Sequence, residues 1–163
     1  MFYFTKYDSP VGSLEIRFSN KGIRRILLPG REHNEDETLA PDATNKIVIE
    51  TIKELTEYFS GHRQRFDLPL DLNGTEFQMV VWQSLVAIEY GSTCTYGALA
   101  KKIDRPKAAR AVGAANAINP IPIIVPCHRV IGADGNLTGY GGGSELLHVK
   151  EYLLNLERPK RKF

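Results

Sequence analysis

Pro120, Pro122 and Pro126 fall within seven residues in the second half of the chain. No helix can run through them, because proline lacks a backbone N–H and its ring clashes with the preceding turn. The residues between them, Ile121, Ile123, Ile124 and Val125, are apolar. The segment is therefore expected to be buried and extended, with helical sequence before it and the run Cys127-His128-Arg129-Val130 directly after it. Any fold of this chain has to place that run at the end of a stiff, apolar stretch.

The flanking patterns divide the chain at Asn73-Gly74, into residues 1–74 and 75–163. In the first unit, Phe2-Tyr3-Phe4 and Leu14-Glu15-Ile16-Arg17-Phe18 read as strands joined through Ser9-Pro10-Val11-Gly12, and Asn20-Lys21-Gly22 is a tight turn into residues 23–28. Residues 29–44 read as a polar, acidic surface loop. Val48, Ile52, Leu55 and Phe59 mark one face of a helix over residues 45–60, ended by Gly61, and residues 66–72 read as a last strand. The expected class is α/β: a small antiparallel sheet with a helix, followed by a mainly helical unit.

The second unit opens with Thr75 and Gln78 at capping-box spacing, ahead of a core stripe of Phe77, Val80, Val81, Leu85 and Ile88. Trp82 is assigned to the core. Gly91 closes that helix, Thr95 caps a short one over 96–103, and Pro106 is placed as first residue of another, running to about residue 116. Two short helices with a tight turn between them outline a helix-turn-helix. The second is rich in small residues: Ala108, Ala109, Ala111, Gly113, Ala114 and Ala115 surround the lone cation Arg110. Such a surface suits close approach to a DNA groove, or equally tight packing against neighbouring helices. Charge adds weight to the first alternative. Residues 1–74 carry 10 basic and 12 acidic side chains, net −2; residues 75–163 carry 11 and 7, net +4. The densest cluster is Lys101, Lys102, Arg105, Lys107 and Arg110 against Asp104.

A cysteine fixed after a stiff segment is a candidate nucleophile, and the reacting species is the thiolate, so a base or a positive environment is required. His128 is the nearest base, acting through a water because adjacent side chains rarely meet, with an acid from elsewhere to orient it. The alternative is a buried structural cysteine beside a hydrogen-bonded histidine. The two cysteines, Cys94 and Cys127, do not make a disulfide scaffold, and with the four histidines they show no paired ligand spacing, so no metal and no cofactor is expected. The Gly-rich stretch at 139–143 lacks the Lys-Ser/Thr of a phosphate loop. No apolar run is long enough to cross a membrane and no signal-peptide pattern is present, so an intracellular setting is expected: the cytoplasm, or the nucleus in a eukaryote.

Pro126-Cys127-His128-Arg129-Val130 resembles the signature of the O6-alkylguanine-DNA alkyltransferases, also called methylated-DNA–protein-cysteine methyltransferases. Four further blocks follow the same order: Tyr96-Gly97-Ala98-Leu99-Ala100, Pro106-Lys107-Ala108-Ala109-Arg110-Ala111-Val112-Gly113, Asn119-Pro120-Ile121-Pro122 and Gly139-Tyr140. The first unit resembles the family through Ser9-Pro10-Val11-Gly12. The resemblance implies a ribonuclease-H-like first unit and a winged-helix-like second unit.

It also implies roles. Cys127 resembles the alkyl acceptor, His128 the water-linked base and Glu157 the acid that orients it. Asn119 resembles the residue holding the turn before the acceptor, and Tyr96 the phenol that donates toward the departing guanine and crowds the DNA phosphate. Arg110 resembles the finger that fills the vacated space in the duplex, on a helix whose Ala108, Ala109, Ala111 and Gly113 approach DNA. Val130, Tyr140 and Gly141 resemble the base pocket. Lys150 is ranked as support rather than chemistry. The implied activity is one-turnover repair of O6-alkylguanine, and of O4-alkylthymine, in double-stranded DNA by a monomer. Two other readings compete: a damage sensor or helix-turn-helix regulator without transfer, and a Cys-His hydrolase or transferase with turnover.

Overall fold

The computed structural model describes residues 2–33, 39–140 and 143–159. It is mixed α/β and divides into two units, Met1–Asn73 and Gly74–Phe163.

The first unit is built on strands β1 (Phe2–Ser9), β2 (Gly12–Ser19) and β3 (Gly22–Leu27), an antiparallel meander. A short strand β4 (Leu39–Pro41) adds in parallel to β1, giving the order β3-β2-β1-β4. The expected loop over 29–44 thus contains a strand; its polar composition hid a segment that only has to satisfy one edge of β1. Alternation along β2 sends Leu14, Ile16 and Phe18 into the core, all fully buried, while Tyr3 stacks on Phe18 at 5.4 Å. Helix α1 (Lys46–Phe59) starts where Asn45 accepts from the Ile47 N–H, and buries Val48, Leu55, Tyr58 and Phe59.

Residues 66–72 do not form the expected strand. They cross β3 at one point, where Ile23 N–H donates to Pro69 O at 2.9 Å and Asp71 N–H to Ile23 O at 2.8 Å. Pro69 supplies no N–H and stops the ladder there. Gly22 makes the crossing feasible: its φ is +151°, and a Cβ would stand 2.3 Å from Pro69 O.

The second unit begins with α2 (Glu76–Val86), whose capping box between Thr75 and Gln78 is formed on both sides. Val81, Trp82, Leu85 and Ile88 are buried. Val80, expected in the core stripe, is 41% exposed, because Trp82 takes the inward position and donates from Nε1 to Ala115 O at 2.9 Å. A two-residue strand β5 (Cys94–Thr95) leads into α3 (Tyr96–Lys102), capped by Thr95. The turn that follows passes through Asp104 in the left-handed region, φ +58°. Pro106 lies in this turn rather than at the helix start; α4 (Ala109–Ala117) begins three residues later, after Ala108 N–H bonds to Arg105 O. Strand β6 (Val130–Ile131) pairs in parallel with β5, and α5 (Leu147–Glu157) ends the described fold. No helix among the described residues is long and apolar enough to cross a membrane.

Candidate active site

Every residue from Pro120 to Val130 is buried, as the apolar composition requires, but the segment is not extended. It folds into consecutive turns: Val125 N–H reaches back to Ile121 O, and Ile123 takes a φ of +76°. A β-branched residue in that region is strained. The surroundings enforce it. Asn119 clamps both ends of the turn, donating from Nδ2 to Val125 O at 2.8 Å and accepting the Ile121 N–H on Oδ1 at 3.0 Å. Pro122 and Pro126 offer no N–H to a sheet ladder, so this side chain does the work that a strand partner would.

The turns deliver a short 3₁₀ helix, Cys127–Arg129. Cys127 is 4% exposed and borders a cavity of about 230 Å³, whose lining includes Tyr96, Asn116, Thr138 and Tyr140. His128 is fully buried and its Nε2 lies 2.7 Å from Glu157 Oε2, on the last turn of α5. Arg129 grips the same carboxylate, Nε to Oε1 at 2.7 Å and the terminal nitrogen to Oε2 at 3.1 Å, and donates to Ile88 O at 2.6 Å. A carboxylate accepting from a guanidinium is ionised, so His128 Nε2 carries the hydrogen it shares with Glu157. The lone pair then sits on Nδ1, a buried nitrogen with no partner among the described residues.

Burial dominates the electrostatics. It lowers the His128 pKa, against the pull of Glu157, and keeps the ring neutral. It pushes the Cys127 thiol from 9.0 up to about 11, with Asn119 and the Lys150 ammonium opposing the rise. The resting sulfur is therefore a thiol. The positive environment expected from sequence is present in Lys150 but is outweighed by desolvation. Lys150 is itself fully buried on α5, donating to Val130 O at 2.7 Å and Gly139 O at 3.1 Å.

At the mouth of the cavity, Tyr96 on the first turn of α3 pairs its hydroxyl with Thr138 Oγ1 at 3.0 Å. Gly113 of α4 lies beside the Tyr96 ring, which a Cβ would meet at 3.7 Å. Arg110, Ala111 and Ala114 are exposed on α4, Ala108 and Ala109 are half-buried, and Lys101, Lys102, Arg105 and Lys107 are exposed nearby. A short cationic helix surface thus adjoins a narrow cavity that holds a cysteine. Residues 2–72 match the family described as 6-O-methylguanine DNA methyltransferase, ribonuclease-like domain, and residues 76–159 match its DNA binding domain. The chain belongs to the 6-O-methylguanine DNA methyltransferase family.

Similarity to individual methyltransferases extends over nearly the whole length. A methylated-DNA–protein-cysteine methyltransferase of Methanosarcina acetivorans is 45% identical over 159 residues, covering 95% of this chain and 97% of the relative. The protein of that name from Mycobacterium tuberculosis is 43% identical over 161 residues, with 98% and 94% covered. A crystal structure of Mycobacterium tuberculosis OGT in complex with DNA superposes with a TM-score of 0.86 at 43% identity, covering 96% of this chain and 92% of that one.

Of the residues the methyltransferase resemblance singled out, Cys127, His128, Glu157 and Asn119 come together in one buried cluster, and Tyr96 and Tyr140 border the cavity beside it. Arg110 stands apart on exposed α4. Val130 is a correction: it is fully buried and does not line the cavity, because pairing with Cys94 and the bond from Lys150 hold it in the packed interior. Gly141 lies outside the described residues. Sequence reasoning missed two participants, Arg129 and Asn116. Arg129 was quoted only as part of a motif, although an arginine beside a buried histidine needs a carboxylate. Lys150 and Glu157, already singled out, lie seven residues apart on the face of α5 that buries Val149 and Leu153, so both face inward. Asn116, 7% exposed on α4 and donating to Cys127 O, carried no signal. Among the described residues no group of three or more His, Cys, Asp or Glu is placed to hold a metal ion.

Proposed function

We propose that Cys127 accepts the alkyl group of O6-alkylguanine, and of O4-alkylthymine, from double-stranded DNA in one irreversible step. The observation that carries this reading is the junction of three features: a cysteine bordering a nucleobase-sized cavity, a neutral histidine whose free lone pair is set by Glu157, and an exposed cationic helix beside the cavity mouth. A base inside a duplex cannot reach a sulfur in such a cavity, so the nucleotide turns out of the stack at a cost of a few kcal/mol. Contacts from Lys101, Lys102, Arg105 and Lys107 to phosphates supply sequence-independent affinity, and Arg110 fills the vacated position.

The proton balance follows from the resting state. The Cys127 thiol passes its proton through a water to His128 Nδ1, and the Glu157 carboxylate stabilises the resulting imidazolium against the opposing charge of Arg129. Sulfur attacks the alkyl carbon, a C–S bond forms and the C–O6 bond breaks. The electron pair left on the purine takes a proton donated by the Tyr96 hydroxyl, which recovers one from solvent while the His128 imidazolium releases its own, so both residues return to their resting state. Burial keeps the resting sulfur a thiol, which protects it from other electrophiles. The thioether has no leaving group, so each chain reacts once, as a monomer.

Intact-mass spectrometry after mixing with an O6-methylguanine duplex tests the reading. The protein gains one methyl group on the peptide containing Cys127, and Cys127→Ala gains none. An unchanged wild-type mass rejects transfer, and product beyond one equivalent per chain points to a turnover enzyme instead.

A further inference from the structure

Arg129 sets a permanent cation beside the residue that must take up a proton, which by itself hinders transfer. Its geometry shows what it does instead. The side chain is buried, and its fork holds both oxygens of Glu157, Nε to Oε1 at 2.7 Å and Nη2 to Oε2 at 3.1 Å. The remaining terminal nitrogen donates to Ile88 O at 2.6 Å, and the guanidinium carbon lies 5.8 Å from the Tyr90 ring centre. Four restraints fix one orientation of the fork, and with it one orientation of the carboxylate.

Glu157 and His128 share a hydrogen across 2.7 Å, so the two titrate as a pair. With one proton on the pair, Glu157 is a carboxylate, the hydrogen is on Nε2 and Nδ1 is an acceptor. A second proton leaves two arrangements. Either the ring is an imidazolium, or Glu157 is a neutral acid that donates to Nε2 and shifts the ring hydrogen to Nδ1. In both, Nδ1 bears a hydrogen and can take nothing from Cys127. A buried carboxylate facing only an imidazole draws in that second proton, because burial disfavours an unpaired charge. The cations facing the pair are Arg129 on the 3₁₀ helix and Lys150 on α5. Lys150 is bonded to the carbonyls of Val130 and Gly139, whereas Arg129 holds the carboxylate itself. The other titratable neighbours, Cys127, Tyr140 and Tyr90, are held uncharged at neutral pH by burial.

We infer that Arg129 is a positioning residue for alkyl transfer: its fork on Glu157 holds the Glu157–His128 pair at one proton and keeps Nδ1 open as the acceptor. The inference rests on the alkyl-transfer reading above and deepens it. A merely structural arginine, stapling the 3₁₀ helix to α5 and to Ile88, would affect transfer equally at every pH.

The rate of single-turnover methyl transfer from a saturating O6-methylguanine duplex, followed across pH, separates the two. In the wild type the rate falls to half its plateau only below the ordinary histidine value of 6.5, because the ring stays neutral to lower pH. In Arg129→Met and Arg129→Gln, with folding checked by circular dichroism, that midpoint rises by about one pH unit or more, the effect of losing one opposing charge. Arg129→Lys keeps the charge and returns the midpoint to within about half a unit of wild type. A folded Arg129→Met that reacts slowly with the wild-type midpoint overturns the inference. Ring-nitrogen NMR shifts of His128 give the midpoint without any reaction. In the wild type at about pH 7 they should report a neutral ring with its hydrogen on Nε2. A charged ring, or a hydrogen on Nδ1, overturns the inference even where no uncharged variant folds. Absence of transfer in the wild type would instead reject alkyl transfer as the function, a failure read separately from the ring.

Discussion

Removing the Cys127 sulfur should make the protein lose less stability in alkali than the parent does. The thiol is buried, and that burial raises its pKa from 9.0 to about 11. The folded chain therefore keeps this proton to higher pH than the unfolded chain. Such a group stabilises the fold fully below the unfolded value and loses that contribution as pH climbs toward the folded value. Two pKa units correspond to about 3 kcal/mol in all, of which roughly half is gone at about pH 10. The assay is urea denaturation of wild type and Cys127→Ala at about pH 7.5 and pH 10, comparing the change in unfolding free energy between the two conditions. Cys94 and the lysines and tyrosines that do not feel Cys127 titrate in both proteins and cancel in the difference, and at about pH 10 the folded chain still holds Cys127 mostly as a thiol, so Lys150 and Tyr140 differ little between the two. Wild type should lose about 1 to 1.5 kcal/mol more than the variant. Parallel losses would mean that the sulfur is not held as a thiol by burial, and the proton-transfer sequence proposed above would lose its starting state.

Three further outcomes are expected. Glu157→Gln leaves the Arg129 guanidinium buried without its counter-charge and should cost about 3 kcal/mol of stability by denaturation, with slower alkyl transfer; a stable variant with wild-type rate removes Glu157 from the network. Arg110→Ala should slow repair in duplex DNA far more than reaction with the free modified base, and equal slowing contradicts a role in base extrusion. DNA affinity measured across salt concentrations should give a log–log slope of about −4 to −5 if Lys101, Lys102, Arg105, Lys107 and Arg110, all exposed, each meet a phosphate; a slope near zero would place the DNA surface elsewhere.

Much of the fold was legible because local rules and tertiary needs agreed. The capping box at Thr75 and the cap at Thr95 form as read from the sequence, and the alternation of β2 buries the residues it marks. Where sequence misled, a long-range partner decided. Pro106 suits a helix start, but the left-handed Asp104 and the bond from Ala108 to Arg105 extend the turn past it. The proline-rich segment read correctly as buried and wrongly as extended, since only the Asn119 clamp makes a chain of turns affordable there. In the site, the reacting sulfur and its histidine could be named from the motif, and Glu157 from the family resemblance. The bidentate grip of Arg129 and the amide of Asn116 could not, because both depend on which elements meet in space.

Ile123 sits in a backbone conformation that a β-branched residue leaves as soon as its neighbours release it. The turn that presents the acceptor therefore exists only while the packing around it and the Asn119 clamp hold it. A chain still folding, or one whose second unit has loosened, presents Cys127 on a relaxed strand as an ordinary thiol, away from the imidazole and without a cavity. Competence for a reaction that can happen only once is thereby restricted to molecules whose interior is already complete.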